Sequence, residues 1–143
     1  MRSAGRAGEP RWRRSPDGRA AGAGGMHLRP RDSAKFGKLF LDNGTWNGAR
    51  IISDTWVQDS QQRITSIDLR KGPDAYGYLW WKRSFLVHDT MQECFYAEGN
   101  GGNYILVLPA ERLVVSFSAS NYDSLAFDRP LTIMTQGILP ALL

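Results

Sequence analysis

The stretch Tyr96–Pro109, YAEGNGGNYILVLP in one-letter code, is the most informative part of this chain about its fold. Its first half holds three glycines around Asn100, a composition typical of a tight turn. Its second half, Tyr104–Leu108, is an apolar run without polar alternation, which predicts a strand buried on both faces at the centre of a sheet. Because Asn-Gly pairs commonly occupy turns that need a positive φ, the stretch predicts a turn that feeds a central strand.

Further short runs rich in aromatic and β-branched residues lie on either side and predict strands over 76–82, 85–88, 93–97 and 113–118. Consecutive strands with such short links pair antiparallel. The C-terminal stretch Phe127–Leu143 is predicted to form a helix that packs across one face of the sheet, with apolar residues near helical spacing at Leu131, Met134, Ile138 and Leu142. The fold class is therefore α+β.

Two helices are predicted before the sheet. Pro30 suits the first turn of a helix that Asn43-Gly44 ends, with a buried stripe formed by Phe36, Leu39 and Phe40. Asn47-Gly48 predicts a small hairpin. Ser53 then caps a helix from Asp54 to about Gln61 that buries Trp56 and Val57.

Charge divides the chain at about residue 25. Residues 1–25 hold six arginines against Glu9 and Asp17, so they carry the whole net charge of +4, and residues 26–143 are neutral. This glycine-rich tail cannot bury enough apolar surface to order itself, so we expect it to be disordered. The domain is then 26–143. A neutral body argues against a nucleic-acid-binding surface.

Composition also restricts other classes of function. No run approaches the 18 apolar residues of a membrane span, and the N-terminus lacks the apolar stretch of a secretory signal. His27 and His88 stand apart from other ligand-type side chains, so neither a metal site nor a cofactor is predicted. Cys94 is the single cysteine, and its apolar neighbours predict a buried thiol. The compartment stays open.

The order of several short motifs resembles the C-terminal part of the serine hydrolases related to class C β-lactamases and penicillin-binding proteins. The motifs are Gly24-Gly25-Met26, Arg31-Asp32, Phe36-Gly37-Lys38-Leu39, Asn43–Gly48, Ile51-Ile52-Ser53, Trp56-Val57, Tyr76-Gly77-Tyr78, Trp80-Trp81, Gly99–Gly102 and Pro109. The resemblance implies a partial β-lactamase/transpeptidase-like fold. In complete relatives it implies hydrolysis of an ester, amide or β-lactam through an acyl-serine intermediate.

The resemblance also implies the site residues. Gly99-Asn100-Gly101 stands where the family has Lys-Thr-Gly, followed by Gly102, and a register shifted by one residue to include Glu98 stays open. In this interpretation the N–H after Gly101 contributes to an oxyanion hole, and the Asn100 amide binds substrate. In the other interpretation the segment is turn geometry alone. Neither register places a lysine or histidine at the first position.

The family's nucleophile and proton-shuttle motifs are absent. No serine of the sequence has lysine three places later, and no tyrosine or serine has asparagine two places later. We therefore expect the C-terminal fragment of a serine hydrolase, without a catalytic residue and inactive alone. A small-molecule substrate would bind only if an N-terminal part completed the site. In such a fragment the orphaned side of the sheet is expected to expose an apolar patch, with contributions from 76–81 and 104–108, that promotes self-association. The alternative is a non-catalytic binding or assembly module that keeps the sheet.

Overall fold

The described residues begin with a small hairpin, two helices and a second hairpin. A computed structural model describes residues 10–22, 24–62, 65–66 and 75–142. The elements in this first part are β1 (Arg11–Trp12), β2 (Met26–His27), α1 (Pro30–Leu41), β3 (Thr45–Trp46), β4 (Ala49–Arg50) and α2 (Asp54–Gln61). β1 pairs with β2 and β3 with β4, both antiparallel.

The predicted helix ends and the predicted hairpin are confirmed. Pro30 begins α1, and Asn43 and Gly44 follow its end with φ values of 50° and 84°. Asn47 and Gly48 join β3 to β4 with φ values of 49° and 80°, as a primed hairpin turn requires. The Ser53 side chain accepts a hydrogen bond from the Trp56 N–H at 3.0 Å and so caps α2.

A six-stranded antiparallel sheet follows. Its strands lie in the spatial order β10-β9-β8-β7-β6-β5, so each strand pairs with its neighbour in sequence. They are β5 (Thr65–Ser66), β6 (Ala75–Tyr76), β7 (Trp81–Val87), β8 (Thr90–Gly99), β9 (Asn103–Leu108) and β10 (Leu113–Phe117). The antiparallel pairing and the α+β class are confirmed. The polar residues 62–75, which include Gly72-Pro73, predict a loop; β5 lies within it, and residues 63–64 and 67–74 lie outside the described residues.

One strand boundary was predicted wrongly. The sequence predicted strands over 76–82 and 85–88, but the break lies earlier, in the turn between Tyr76 and Trp81. In that turn the Gly77 N–H donates to the Trp80 carbonyl at 2.8 Å, and Leu79 has a φ of 65°. β7 then runs unbroken to Val87, because its polar centre at 82–84 still pairs in register with β8.

β9 is buried on both faces, as predicted, but it lies next to the edge strand β10 rather than at the centre of the sheet. Tyr104, Leu106 and Leu108 face one apolar cluster, and Val107 faces the other. The C-terminal helical segment covers the first face, and α1 covers the second through Phe40 and Leu41. The buried thiol of Cys94 belongs to the first cluster, which confirms the sequence prediction for this residue.

The C-terminal segment is helical from residue 125 to 142, but its buried face differs from the predicted one. It consists of a 3-10 turn (Leu125–Asp128), α3 (Arg129–Ile133), a π-helical turn (Met134–Ile138) and α4 (Leu139–Leu142). Leu131 and Met134 are buried as predicted, whereas Leu142 is exposed and Leu139 is buried in its place. The π turn adds a residue per turn, which rotates the following residues relative to an ideal helix.

Two aromatic side chains that were predicted to be buried are half exposed. Phe36 is 43% exposed and Trp56 is 51% exposed. α1 instead turns Gly37 toward the sheet, where it lies against Ile105 and Val114. In α2 the buried residue is Val57, while the Trp56 ring stacks on Tyr78 at 5.3 Å between centroids. The helical spacing of apolar residues alone did not show which side of α1 or α2 faces the core.

The basic tail is described from residue 10 onward. Residues 11–12 pair with 26–27, Arg14 bridges to Ala20, and the Trp12 indole N–H donates to the Ala21 carbonyl at 2.9 Å. Almost every described residue between 10 and 25 is exposed. That residues 1–25 are mobile and dispensable stays a prediction, and residues 1–9 lie outside the described residues.

Candidate functional site

The glycine-rich element forms the turn of the hairpin between β8 and β9. The ladder closes on the pair Gly99 and Asn103, and residues 100–102 make the turn. Gly101 and Gly102 have φ values of 84° and 91°, which lie in the left-handed region that side chains with a Cβ adopt at a cost. The turn geometry that the sequence predicted at Gly101 is therefore confirmed.

The following loop holds this turn in place. The Asn103 side-chain amide donates to the carbonyls of Asn100 at 2.8 Å and Ala119 at 3.1 Å, and its oxygen accepts from the Ala119 N–H at 3.3 Å. The Asn121 N–H donates to the Gly101 carbonyl at 2.9 Å. The turn is thus fixed from both sides, as a preorganised binding element needs to be.

β8 extends beyond the end of β7 at this end of the sheet. The ladder between β7 and β8 stops at the pair Trp81 and Tyr96, whereas the ladder between β8 and β9 continues for three more residues to Gly99. The cause is the turn over residues 77–80, which takes the chain away from β8. The end of β8 therefore projects as a ledge, defined here as residues 97–99.

A cleft of about 250 Å³ adjoins this ledge. One wall comes from the segment that leads into α1, and the other from the ends of the three strands nearest α1. The lining residues are Met26, Leu28, Pro30, Ser33, Ala97, Glu98, Gly99, Asn103, Tyr104, Ile105, Phe117 and Ser118. The N-terminal end of α1 thus closes one end of the sheet.

The four predicted site residues take different places around the cleft. Gly99 lines the cleft. Asn100 is exposed in the turn, and Gly101 and Gly102 are buried within it. Glu98, which belongs to the shifted register, also lies on the ledge. The functional roles of these residues stay predictions.

The cleft contains a serine, Ser33, but its surroundings do not activate it. The Ser33 hydroxyl lies 2.8 Å from the Pro30 carbonyl and 2.6 Å from the Ser116 hydroxyl. Lys35, two residues along the helix, forms an ion pair with Asp32 at 2.6 Å. A serine nucleophile needs an adjacent base, and the recorded partners of Ser33 are a carbonyl and another hydroxyl.

Tyr104 is an ionisable residue of the cleft lining. The sequence had predicted it only as part of a strand. Burial raises the pKa of its phenol far above the ordinary value, and the charges of Glu98 and Asp128 raise it further. The phenol is therefore protonated at neutral pH and cannot serve as a general base. Its ring packs toward Tyr96, with 5.9 Å between centroids, on the face away from α1.

A larger apolar groove of about 650 Å³ lies on the outer side of α1. We call it the α1 groove. Its lining residues are Pro10, Arg11, Trp12, Met26, Leu28, Asp32, Lys35, Phe36, Leu39, Trp46 and Ile51. Much of its surface is formed by the exposed side chains of Trp12, Phe36 and Ile51. Phe36 and Leu39, which were predicted to belong to the buried stripe of α1, line this groove instead.

Neither a cluster of metal-ligating side chains nor a membrane-spanning helix occurs in the described part of the chain. Within residues 10–22, 24–62, 65–66 and 75–142, no three His, Cys, Asp or Glu side chains come together in a way that could hold a metal ion. Among the helices of those residues, none combines the length and the apolar character needed to cross a membrane.

A comparison with known proteins relates the fold to a hydrolase. The chain is similar to the solved structure of a "Putative 6-aminohexanoate-dimer hydrolase from Bacillus anthracis", with a TM-score of 0.58 and 25% sequence identity. The similarity covers 80% of this chain and 29% of that chain. That protein belongs to the β-lactamase/transpeptidase-like superfamily. No protein-family model and no curated protein sequence matches the chain.

This chain therefore shares its fold with under a third of the length of a hydrolase from that superfamily. The α+β architecture, with an antiparallel sheet and a C-terminal helical segment, agrees with the expected partial fold.

Proposed function

We propose that this chain forms the substrate-binding side of an acyl-transfer site of the β-lactamase-related serine hydrolase type, without acyl-serine chemistry of its own. The observation that carries the proposal is the ledge of residues 97–99, which projects past β7 beside a cleft and leads into a fixed glycine-rich turn. An extended substrate can align with the end of such a strand. The similarity to part of a hydrolase supports the same reaction class.

The sequence supports the second half of the proposal. A Ser-x-x-Lys nucleophile is absent from all 143 residues, and Ser33 in the cleft lacks an activating base among its recorded partners. Removing the nucleophile from an enzyme of this kind leaves only binding and oxyanion effects. A second polypeptide part would have to supply the nucleophile for hydrolysis of an ester, amide or β-lactam.

The proposal is tested by combining covalent labelling with site mapping. The full chain is incubated with a fluorophosphonate and with penicillin, and its intact mass is measured; we expect no adduct. It is then titrated with N-methylhexanamide, a neutral amide, while backbone amide signals are followed by NMR. We expect saturable shifts at residues 97–99. A covalent serine adduct, or the absence of shifts on the ledge, would overturn the proposal.

Gly99 offers a variant with a matched control. A Cβ at Gly99 would lie 3.4 Å from the Asn103 Cβ, an ordinary contact, so Gly99→Val should keep the fold while narrowing the cleft. We expect this variant to lose the ledge shifts. Gly22→Val, at a glycine with nothing within 4 Å of the added Cβ, should retain them.

The alternative function is a non-catalytic binding or assembly module. The α1 groove favours it, because the apolar side chains of Trp12, Phe36 and Ile51 are exposed side by side there and could receive an apolar surface of a partner. In that alternative the groove joins two copies of the chain, and the ledge has no ligand.

A further inference from the structure

The cleft beside the ledge has a chemical character that restricts its ligand beyond the proposed reaction class. We propose that it takes the unbranched apolar chain of a neutral carbonyl compound, an ester or amide, and discriminates against the corresponding carboxylate. This inference rests on the proposed function, since it concerns the ligand of the same site. It follows from the lining residues and from the end of α1 that closes the cleft.

The walls of the cleft are mostly apolar. Met26, Leu28 and Pro30 form one wall, and Ala97 and Ile105 stand opposite, on the face of the sheet that α1 covers. A volume of about 250 Å³ is below that of a drug-sized pocket, so it suits a short chain rather than a ring system. Burial of such a chain is favourable in proportion to the apolar area removed from water.

Two polar side chains of the lining, those of Ser33 and Asn103, are already engaged, whereas Ser118 is exposed to solvent. The Ser33 hydroxyl is held between the Pro30 carbonyl and the Ser116 hydroxyl. The Asn103 amide uses both of its ends on the backbone of the turn and of residue 119. These groups shape the cleft, and recruiting one of them for a ligand would break an existing hydrogen bond.

The carboxylate of Glu98 belongs to the other face of the sheet. Glu98 and Tyr104 are register partners, so their side chains share a face, and Tyr104 packs there against the cluster under the C-terminal helical segment. Ala97 and Ile105, and likewise Gly99 and Asn103, are the pairs on the cleft face. The side chains on the cleft face of these two strands are therefore uncharged.

The end of α1 offers little to an anion. Pro30 has no N–H, and the N–H groups of Asp32 and Ser33 both donate to the Arg29 carbonyl, at 2.8 Å and 3.0 Å. The carboxylate of Asp32 adds a negative charge in the first turn and pairs with Arg29 and Lys35. A ligand carboxylate in the cleft would thus lose part of its hydration without meeting a cationic side chain in the lining.

Two ligands of matched chain length test the inference. The full chain is titrated at pH 7 with N-methylhexanamide and with hexanoate, and the methyl signals of Met26, Leu28 and Ile105 are followed by NMR. We expect saturable shifts of these signals with the amide and binding of hexanoate that is at least about tenfold weaker. Equal or tighter binding of hexanoate, or shifts confined to the α1 groove around Phe36, would overturn the inference.

A filled cleft provides the matched variant. Leu28 lies in the irregular segment before α1 and is partly buried, so Leu28→Trp should fill the cleft and abolish the amide-induced shift of Ile105. Leu86→Trp, at a side chain that is 68% exposed near the opposite end of β7, should leave the shift unchanged. If the Leu28 variant fails to fold, the wild-type comparison of the two ligands still decides the inference.

The same titration separates this inference from the proposed function. Shifts at Leu28 and Ile105 without shifts at residues 97–99 would support an apolar-chain site and overturn the role of the ledge. Shifts at residues 97–99 together with tight hexanoate binding would support the role of the ledge and overturn the inference that the cleft discriminates against a carboxylate.

Discussion

The ring of Tyr122 lies directly on Gly101. A Cβ built on Gly101 would come within 2.8 Å of Tyr122 Cε1 and 3.0 Å of Cδ1, and Gly101 has a φ of 84°. Two separate physical reasons thus require glycine here, a left-handed backbone and the close approach of a ring. Since the ring belongs to the loop after β10, the contact couples that loop to the glycine-rich turn.

The first prediction concerns this contact. Gly101→Ala should lower the free energy of unfolding by about 2–4 kcal/mol, because strain at positive φ and overpacking against the ring add. Gly48→Ala is the matched control, since Gly48 has a φ of 80° but nothing within 4 Å of the added Cβ. It should cost only about 1–2 kcal/mol.

Chemical denaturation of both variants measures the difference, and Tyr122→Ala in the Gly101→Ala background isolates the contact with the ring. We expect the double variant to recover part of the loss. Equal costs at Gly101 and Gly48 would show that the ring yields without penalty.

A second glycine, Gly37 in α1, is predicted to resist a change that normally favours helices. A Cβ at Gly37 would lie 2.6 Å from Val114 Cγ1 and 2.8 Å from Ile105 Cγ2. Glycine costs a helix about 1 kcal/mol relative to alanine, yet overpacking costs about 1–3 kcal/mol, so Gly37→Ala should be destabilising.

Gly137 supplies the opposite case, because an added Cβ there meets nothing within 4 Å. The melting temperature measured by thermal unfolding should therefore fall for Gly37→Ala and stay unchanged or rise slightly for Gly137→Ala. Stabilisation by both would mean that α1 sits farther from the sheet than the contacts indicate.

The basic tail gives a third prediction. Deletion of residues 1–25 should change the melting temperature by no more than a few degrees, since almost all described residues of this segment are exposed and Trp12 is 50% exposed. Differential scanning calorimetry of the shortened chain beside the full chain measures the change. A fall of many degrees would show that the pairing of β1 with β2 supports the body.

The fourth prediction concerns self-association through the α1 groove. Phe36 is 43% exposed in this groove, so Phe36→Glu should shift a concentration-dependent equilibrium toward the monomer. Ile133→Glu is the control, at a side chain that is 48% exposed on the C-terminal helical segment and outside the groove. Sedimentation equilibrium measures the fraction of monomer for the wild type, Phe36→Glu and Ile133→Glu. A wild-type chain that stays monomeric at high concentration would contradict the prediction.

A fifth prediction follows from Asp42, which accepts contacts from Lys38 and Arg112 and so joins the end of α1 to the turn before β10. The hydrogen bond from Lys38 is the main cause that lowers the pKa of the Asp42 carboxyl, and Arg112 contributes less. A carboxyl with a lowered folded-state pKa stabilises the fold above its unfolded pKa of about 4. That contribution is lost as the pH falls through the lower folded-state value.

The melting temperature should therefore fall more steeply below about pH 4 for the wild type than for Asp42→Asn. The effect is small, because the pairs are partly exposed. Asp59→Asn in α2, outside this ion-pair group, should keep the wild-type steepness. Identical acid profiles for all three proteins would show that the ion pairs contribute nothing measurable.

Features that depend only on residues close together in the chain could be predicted before the structure was known. Local backbone preferences specify the Asn47-Gly48 turn, the Ser53 cap and the glycine-rich turn. Tyr104–Leu108 is apolar enough to identify a strand buried on both faces. The antiparallel order then follows from the short links. The absent nucleophile motif is equally a property of the sequence.

The tertiary structure decided which residues of each helix are buried and where the cleft lies. Phe36 and Gly37 are adjacent in sequence, but only the close approach of Val114 and Ile105 puts the glycine inside and the ring outside. The ledge exists because β7 ends opposite Tyr96, and Tyr122 reaches Gly101 across a gap of 21 residues. Such contacts depend on how distant segments pack together, and a periodic pattern within one segment carries no information about its partner.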